Sequence, residues 1–299
     1  MALGLRLEGL GEGAALAEQA GLDFVHLAGT VDGSIGCDPL SVAACLMTTT
    51  RRIGLVASVP TRWAPFNVAR ALASFDLLSG GRCGWLPVVD GADVDPAREA
   101  EHLDVVLQLF DSWDDDALVF DKSACVFADP DKVRRIRHEG AYFSVDGPLN
   151  APRPPQGRPV LMQPLTELSP AADMALIDLD QLGPDTRARV GSARLLALVA
   201  LDSARGAGPV GRALGERLAR TYTEGRCDGF VFRTAQPLID MPMLADEAIP
   251  MLKALSQDIG TEPGGGPAIA ADAGDFRSRL GLPRPANRFA PPPTVQAFP

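Results

Sequence analysis

Histidine is scarce in this chain. Its three copies, His26, His102 and His138, stand far apart, so no His-based spacing for a metal centre exists. The five cysteines (Cys37, Cys45, Cys83, Cys125, Cys227) form no CxxC pair and no even framework. No apolar run approaches the roughly 20 residues that a membrane-crossing helix needs. Positive charge is also short: 28 Lys and Arg against 38 Asp and Glu give a net charge of −10, which argues against nucleic acid and against an anionic membrane surface. The opening stretch MALGLRLEGLGEG lacks the pattern of a secretory signal, and with unpaired cysteines the expectation is a reduced, cytoplasmic protein. Cys45, Cys83 and Cys227 lie in apolar runs and read as small core residues.

What is present is an ordinary globular balance, 46% hydrophobic and 22% charged over 299 residues, with 30 Gly and 26 Pro pointing to many tight connections. Short strand-like apolar runs recur at 3–10, 23–29, 52–59, 82–89, 158–165, 174–180, 194–201 and 229–235, and most are followed by a helical pattern. Eight strands alternating with helices predict an α/β fold, a parallel (β/α)8 TIM barrel. The connections after the fifth and sixth strands are too short or too broken by Pro184 and Gly191 for full helices, so the barrel is expected to be trimmed there. The reading is one barrel domain over 1–260, with an excursion at about 114–157, and an extended Gly/Pro-rich tail over 261–299.

Four stretches carry a family resemblance: SVAACLMTTTRRIGLVASV, FNVARALASFDLLSGGRCGW, VFADPDKVRRIRHEGAYFSVDGPLNAPRPPQGRPVLMQ and FRSRLGLPRPANRF. The chain resembles the luciferase-like flavin-dependent monooxygenases, nearest the nitrilotriacetate and dibenzothiophene-sulfone monooxygenase branch. The resemblance implies a TIM barrel, reduced FMN supplied by a separate flavin reductase, oxygen as co-substrate and a homodimer built on the helices after the second and third strands. It also implies flavin contacts at the C-terminal strand ends, with Ser58, Thr61, Gln163 and Thr166 as the residual cofactor-binding positions. Ser58 and Thr61 read equally as strand-end hydrogen bonders. No catalytic residue and no metal ligand is assigned.

Against the family pattern, Gly29 replaces an aspartate, Leu86 replaces an asparagine, and Asn67 stands at a histidine position. The usual Gln-Ala-Gly-Ser-Ser phosphate loop reads Gln163-Pro164-Leu165-Thr166-Glu167. Proline has no N–H to give and glutamate repels a phosphate dianion. The FMN site is therefore expected to be degraded, with weak or absent flavin binding. Three functions follow: a non-catalytic relative retained for dimerisation or regulation, with pairing to an active paralogue as one form of it, an FMNH2-dependent monooxygenase with a remodelled pocket, or a barrel for another small ligand. If Gly29 faces the barrel mouth, alternation turns His26 outward as a buried structural residue. Asp111, Asp114, Asp115 and Asp116 around Trp113 read as a helix end running into a solvated loop. Trp85 is expected to pack behind the fourth strand, and Arg62 and Trp63 to sit in the loop above the third.

Overall fold

The computed structural model describes residues 1–7, 13–29, 37–89, 95–201, 211–257 and 274–290. The chain forms two compact units. The first comprises Met1–Val59, Arg82–Pro87 and Val160–Leu282. Its strands are β1 (Ala2–Leu7), β2 (Phe24–Leu27), β3 (Gly54–Pro60) and β4 (Cys83–Val88), then β9 (Val160–Pro164), β10 (Met174–Asp178), β11 (Arg194–Ala200) and β12 (Gly229–Arg233). They close in the order β1-β12-β11-β10-β9-β4-β3-β2, and every described pairing among them is parallel. All eight expected strands are therefore present, in a TIM barrel. The crossover after β9 is a single turn, Leu165–Glu167, and that after β10 holds only the turns Leu179–Gln181 and Arg187–Arg189. The barrel is trimmed after its fifth and sixth strands, as the shortness of the first connection and Pro184 and Gly191 in the second led one to expect.

Helices α1 (Ala14–Gln19) and α2 (Pro39–Thr49) belong to this unit. Asp38 caps α2 by accepting from the Ser41 N–H at 2.8 Å, with Pro39 in the first helical position. Helix α5 (Arg212–Thr223) follows β11; α6 (Pro237–Met243) continues through a π-turn, Leu244–Ala248, into α7 (Ile249–Gln257).

The registers divide the strand residues into two faces. Leu3, Leu5, Val25, Leu55, Trp85, Leu161 and Phe230 share the outer face and are all buried, as a helix-covered surface requires. Trp85 thus packs behind β4 as expected. The inner face carries glycines where bulk is needed from elsewhere. A Cβ on Gly54 would meet the Phe276 ring at 2.5 Å, and one on Gly84 would meet it at 3.2 Å. Phe276 also lies 5.9 Å from the Phe24 ring. A side chain from near the end of the chain therefore fills the barrel beside three adjacent strands. It sits on α8 (Phe276–Arg279), whose Asp275 caps the Ser278 N–H at 2.8 Å. The next residue, Arg277, is buried and holds Asp173 through both guanidinium nitrogens at 2.6 and 2.7 Å, while Asp173 also accepts from the Leu161 N–H. Of the expected extended tail, 261–273 and 291–299 lie outside the described residues.

The second unit comprises Pro60–Gly81, Val88–Pro159 and Pro283–Pro299. Helix α3 (Pro65–Ser79) starts at a proline and stops at Gly80, whose φ of 67° few other residues adopt. Helix α4 (Pro96–Phe110) is capped by Asp95. The expected excursion contains two hairpins, β5 (Leu118–Asp121) with β6 (Val126–Ala128), and β7 (His138–Glu139) with β8 (Ser144–Val145). The acidic run departs from the solvated loop expected of it. Asp111 is fully buried and accepts from Arg153 at 3.1 Å and from Arg158. Asp114 pairs with Arg134, and Asp116 with Lys132 at 2.5 Å. Asp115 takes Arg284 and Arg153, and the Arg284 hydrogen bonds in particular hold its carboxyl down at about 2. Each carboxylate has its own cation, so the four oxygens do not converge on a metal. Cys83 and Cys227 are buried as expected, but Cys45 is exposed, because only Val42 and Ala43 of α2 are buried.

Candidate functional site

Barrel enzymes work at the C-terminal ends of their strands. Here that end of the inner face carries Arg6, His26, Ser58, Leu86, Pro164, Asp178 and Arg233. The registers make three of these neighbours: Arg233 pairs with Arg6 across β12 and β1, and Arg6 pairs with His26 across β1 and β2. A row of three nitrogen bases therefore crosses three adjacent strands. His26 is buried, and its Nε2 lies 3.0 Å from the Ser58 hydroxyl. Its Nδ1 is buried with no hydrogen-bond partner among the described residues.

This corrects the expectation that His26 turns outward. Strand β2 ends at Leu27, so alternation cannot be carried through Ala28 to Gly29. The pairing of His26 with Val56, two residues before Ser58, places it on the inner face instead. Burial first, and the nearby Arg6 charge second, push the His26 imidazolium down to about 3. The ring is neutral across the physiological range, and the charge of the row comes from the two guanidiniums.

A pH dependence follows. Between 6.5 and about 3 the unfolded chain binds a proton at this position that the folded chain does not. The stability linked to His26 is therefore complete above that window and is lost as pH falls through it. Replacing His26→Gln, which keeps a partner for Ser58, is expected to remove an acid-side loss on the order of 3 kcal/mol by pH 4. Urea melts across pH 4 to 7 give the test, and an acid limb identical in both proteins refutes it.

The four sequence-selected positions are not gathered into one constellation. Ser58 is on the inner face, committed to His26. Thr61 is buried, with its hydroxyl 3.4 Å from the Val88 carbonyl. Gln163 shares its face with Leu161, opposite Pro164, and its Oε1 accepts from the N–H and hydroxyl of Ser169 at 3.0 and 2.7 Å. Thr166 is exposed on the turn after β9. In that turn Leu165 is buried, Pro164 has no N–H, and Glu167 is exposed. Leu86 occupies the inner face of β4 and is buried, whereas Pro87 is half-buried. In the second unit, His102 is buried on α4 and bonds the Trp63 carbonyl at 2.9 Å, while Asn67 and Arg62 are exposed. Among the described residues no group of His, Cys, Asp and Glu could hold a metal ion.

Residues 3–166 match the sequence model of the luciferase-like monooxygenases. A subunit of the pristinamycin IIA synthase of Streptomyces pristinaespiralis is 34% identical over 92% of this chain and 88% of its own length. The chain belongs to the luciferase-like monooxygenase family. Dibenzothiophene-sulfone monooxygenase of Rhodococcus erythropolis is 41% identical, but over 44% of this chain and only 32% of that protein. The luciferase-like chain thus spans about a third of that enzyme. The solved structure of EDTA monooxygenase from Chelativorans sp. BNC1 superposes with a TM-score of 0.74 at 21% identity, covering 95% of this chain and 99% of that one, which agrees with the luciferase-like barrel.

The family implies FMN, and the strand ends test the fit. A phosphate cradle needs free backbone N–H donors and no adjacent anion. The turn after β9 offers a proline, a buried leucine and an exposed glutamate. β4 presents the buried Leu86 on its inner face. The residues present do not fit FMN held in the family's manner.

Proposed function

We propose that this chain is a flavin-poor subunit of a luciferase-like monooxygenase: a barrel that binds FMN weakly or not at all and pairs with an active paralogue, which receives reduced FMN from a flavin reductase. The observation that carries this reading is the end of β9, where Pro164, Leu165 and Glu167 replace the donors of a phosphate site. Two further facts support it. The relative matched along almost its whole length is named as a subunit of a synthase, whereas the sulfone monooxygenase is matched over a third of its length. The β5–β6 hairpin also exposes Val119, Phe120, Val126 and Phe127, with Phe120 and Phe127 each 62% exposed. Apolar surface of this kind marks a site of association.

Sedimentation with an active luciferase-like paralogue from the same organism tests the pairing. A one-to-one complex carrying one FMN is expected. Two FMN per complex, or a homodimer that ignores the paralogue, would overturn the proposal.

A further inference from the structure

We propose that residues 283–290 form a salt-sensitive latch that steadies the root of the β5–β6 hairpin and opens without unfolding the barrel. The hairpin is the one that the proposed pairing uses, but the latch stands on separate contacts and its test needs no partner. The first unit ends at Leu282, just past Gly281, whose φ of 64° closes α8. The strap then runs within the second unit, starting at Pro283. Among the described residues its one backbone–backbone hydrogen bond is internal, from the Ala290 N–H to the Asn287 carbonyl. No residue of the strap is buried. With neither a strand ladder nor a buried apolar anchor, it is held by polar side chains.

Most of those contacts go to the second half of α4 and the turn after it. Arg284 grips Asp115 through both Nη atoms at 2.6 Å, Asn287 donates to the Trp113 carbonyl at 2.8 Å, and Arg288 donates to Asp104 at 2.8 Å. Arg153 adds a bond in the other direction, to the Pro285 carbonyl at 2.9 Å. Trp113 to Asp115 lead into β5, and the hairpin is closed near that level by two backbone bonds. The Asp114 N–H donates to the Lys132 carbonyl at 2.9 Å, and the Asp129 N–H to the Ala117 carbonyl at 2.8 Å. The strap thus grips one leg of the hairpin at its root. The ion pairs differ in their response to salt. The Arg284 and Asp115 side chains are 43% and 52% exposed, and those of Arg288 and Asp104 31% and 49%. Pairs as open as these are individually weak and are screened by salt. The Arg153–Asp111 pair, at 2% and 0%, is not open to screening, and Phe276 and Arg277 of α8 are buried too. Salt therefore loosens the strap while α8 and the Asp111 pair stay in place. Acid does not, because the Arg284 hydrogen bonds in particular hold the Asp115 carboxyl down at about 2.

Amide hydrogen exchange of the full chain, read by mass spectrometry on peptides covering 283–290, 113–118 and 129–133, tests the latch. The Arg288, Phe289 and Ala290 N–H groups are all hydrogen-bonded and report on the strap. Between about 0.1 and about 1 M salt the screening length falls from about 10 to about 3 Å. Over that range exchange in all three segments is expected to rise about fivefold or more, with β1, β11 and β12 unchanged. Arg284→Gln with Arg288→Gln is expected to give the same rise already at low salt, and Arg284→Lys with Arg288→Lys a smaller one. The control Arg212→Gln with Arg217→Gln removes two exposed, ion-paired arginines of the first unit and is expected to leave the three segments protected. Strap amides that ignore both salt and the Arg284 and Arg288 variants would overturn the latch. So would a rise in 283–290 that 113–118 and 129–133 do not follow, an opening seen only together with the barrel strands, or an equal rise in the control.

Discussion

Titrated with FMN, this protein is expected to bind on the order of 10²–10⁴-fold more weakly than a luciferase-like barrel with an intact phosphate loop. The figure comes from two missing contacts. A hydrogen bond to a charged group is worth ~1.5–3 kcal/mol, and each 1.4 kcal/mol is tenfold in affinity. The fixed absence is the Pro164 N–H; the second is the buried position of Leu165, which leaves no open glycine-like cradle. Glu167, exposed on the same turn, adds repulsion. The structure also ranks the repairs. Pro164→Ala with Glu167→Ser restores a donor and removes a charge at little structural cost, and is expected to raise FMN affinity about tenfold or more. Leu165→Gly strips a buried side chain and is expected to destabilise by roughly 2–4 kcal/mol, masking any gain. Micromolar FMN binding by the unmodified chain would contradict the degraded site outright.

Replacing Phe276→Ala is expected to destabilise the barrel by about 3–5 kcal/mol, among the largest costs available to one substitution. The ring is fully buried against Gly54, Gly84 and Phe24, and nothing else in the described chain can fill that space. The coupling is more specific than the loss. Gly54→Ala alone places a methyl 2.5 Å from the ring, a distance that forces something to move. In the double variant the methyl enters the space the ring has left, so the two costs are expected to fall short of their sum by ~1 kcal/mol or more. Urea unfolding of the two single variants and the double variant gives the answer. Additive costs mean the ring and the glycine do not share that space.

Much of this fold could be read from the chain alone. Eight apolar runs separated by helical patterns lead to the barrel, and Pro184 and Gly191 mark one of its shortened connections. What escaped was everything set by register. The faces of a strand alternate with period two, so an anchor misplaced by one residue inverts every assignment on it. Gly29 was such an anchor: it lies beyond the end of β2, and it sent His26 to the wrong side. The row Arg233–Arg6–His26 joins residues from opposite ends of the chain, and no spacing predicts that three strands bring them level. The ion pairs of Asp111 escaped for a related reason. Its partners Arg153 and Arg158 stand 42 and 47 residues further on, where sequence shows only charges of opposite sign. The end of β9 was legible because proline lacks an N–H in any setting. That Leu165 is buried there was not.

The Phe276 ring also sets the order of events during synthesis. Gly54 and Gly84 hold open a space whose occupant is encoded almost at the other end of the chain. At about 10 residues per second, roughly 20 s separate the making of Gly84 from the making of Phe276. Through that interval β2, β3 and β4 can pair with one another, but the interior beside them has no filling. Strands paired around an unfilled interior are the kind of species that aggregates or recruits chaperones. A nascent chain stalled after β12 therefore remains vulnerable to proteolysis, although all eight strands have been made. Emergence of the α8 turn, which carries Phe276, supplies the missing filling.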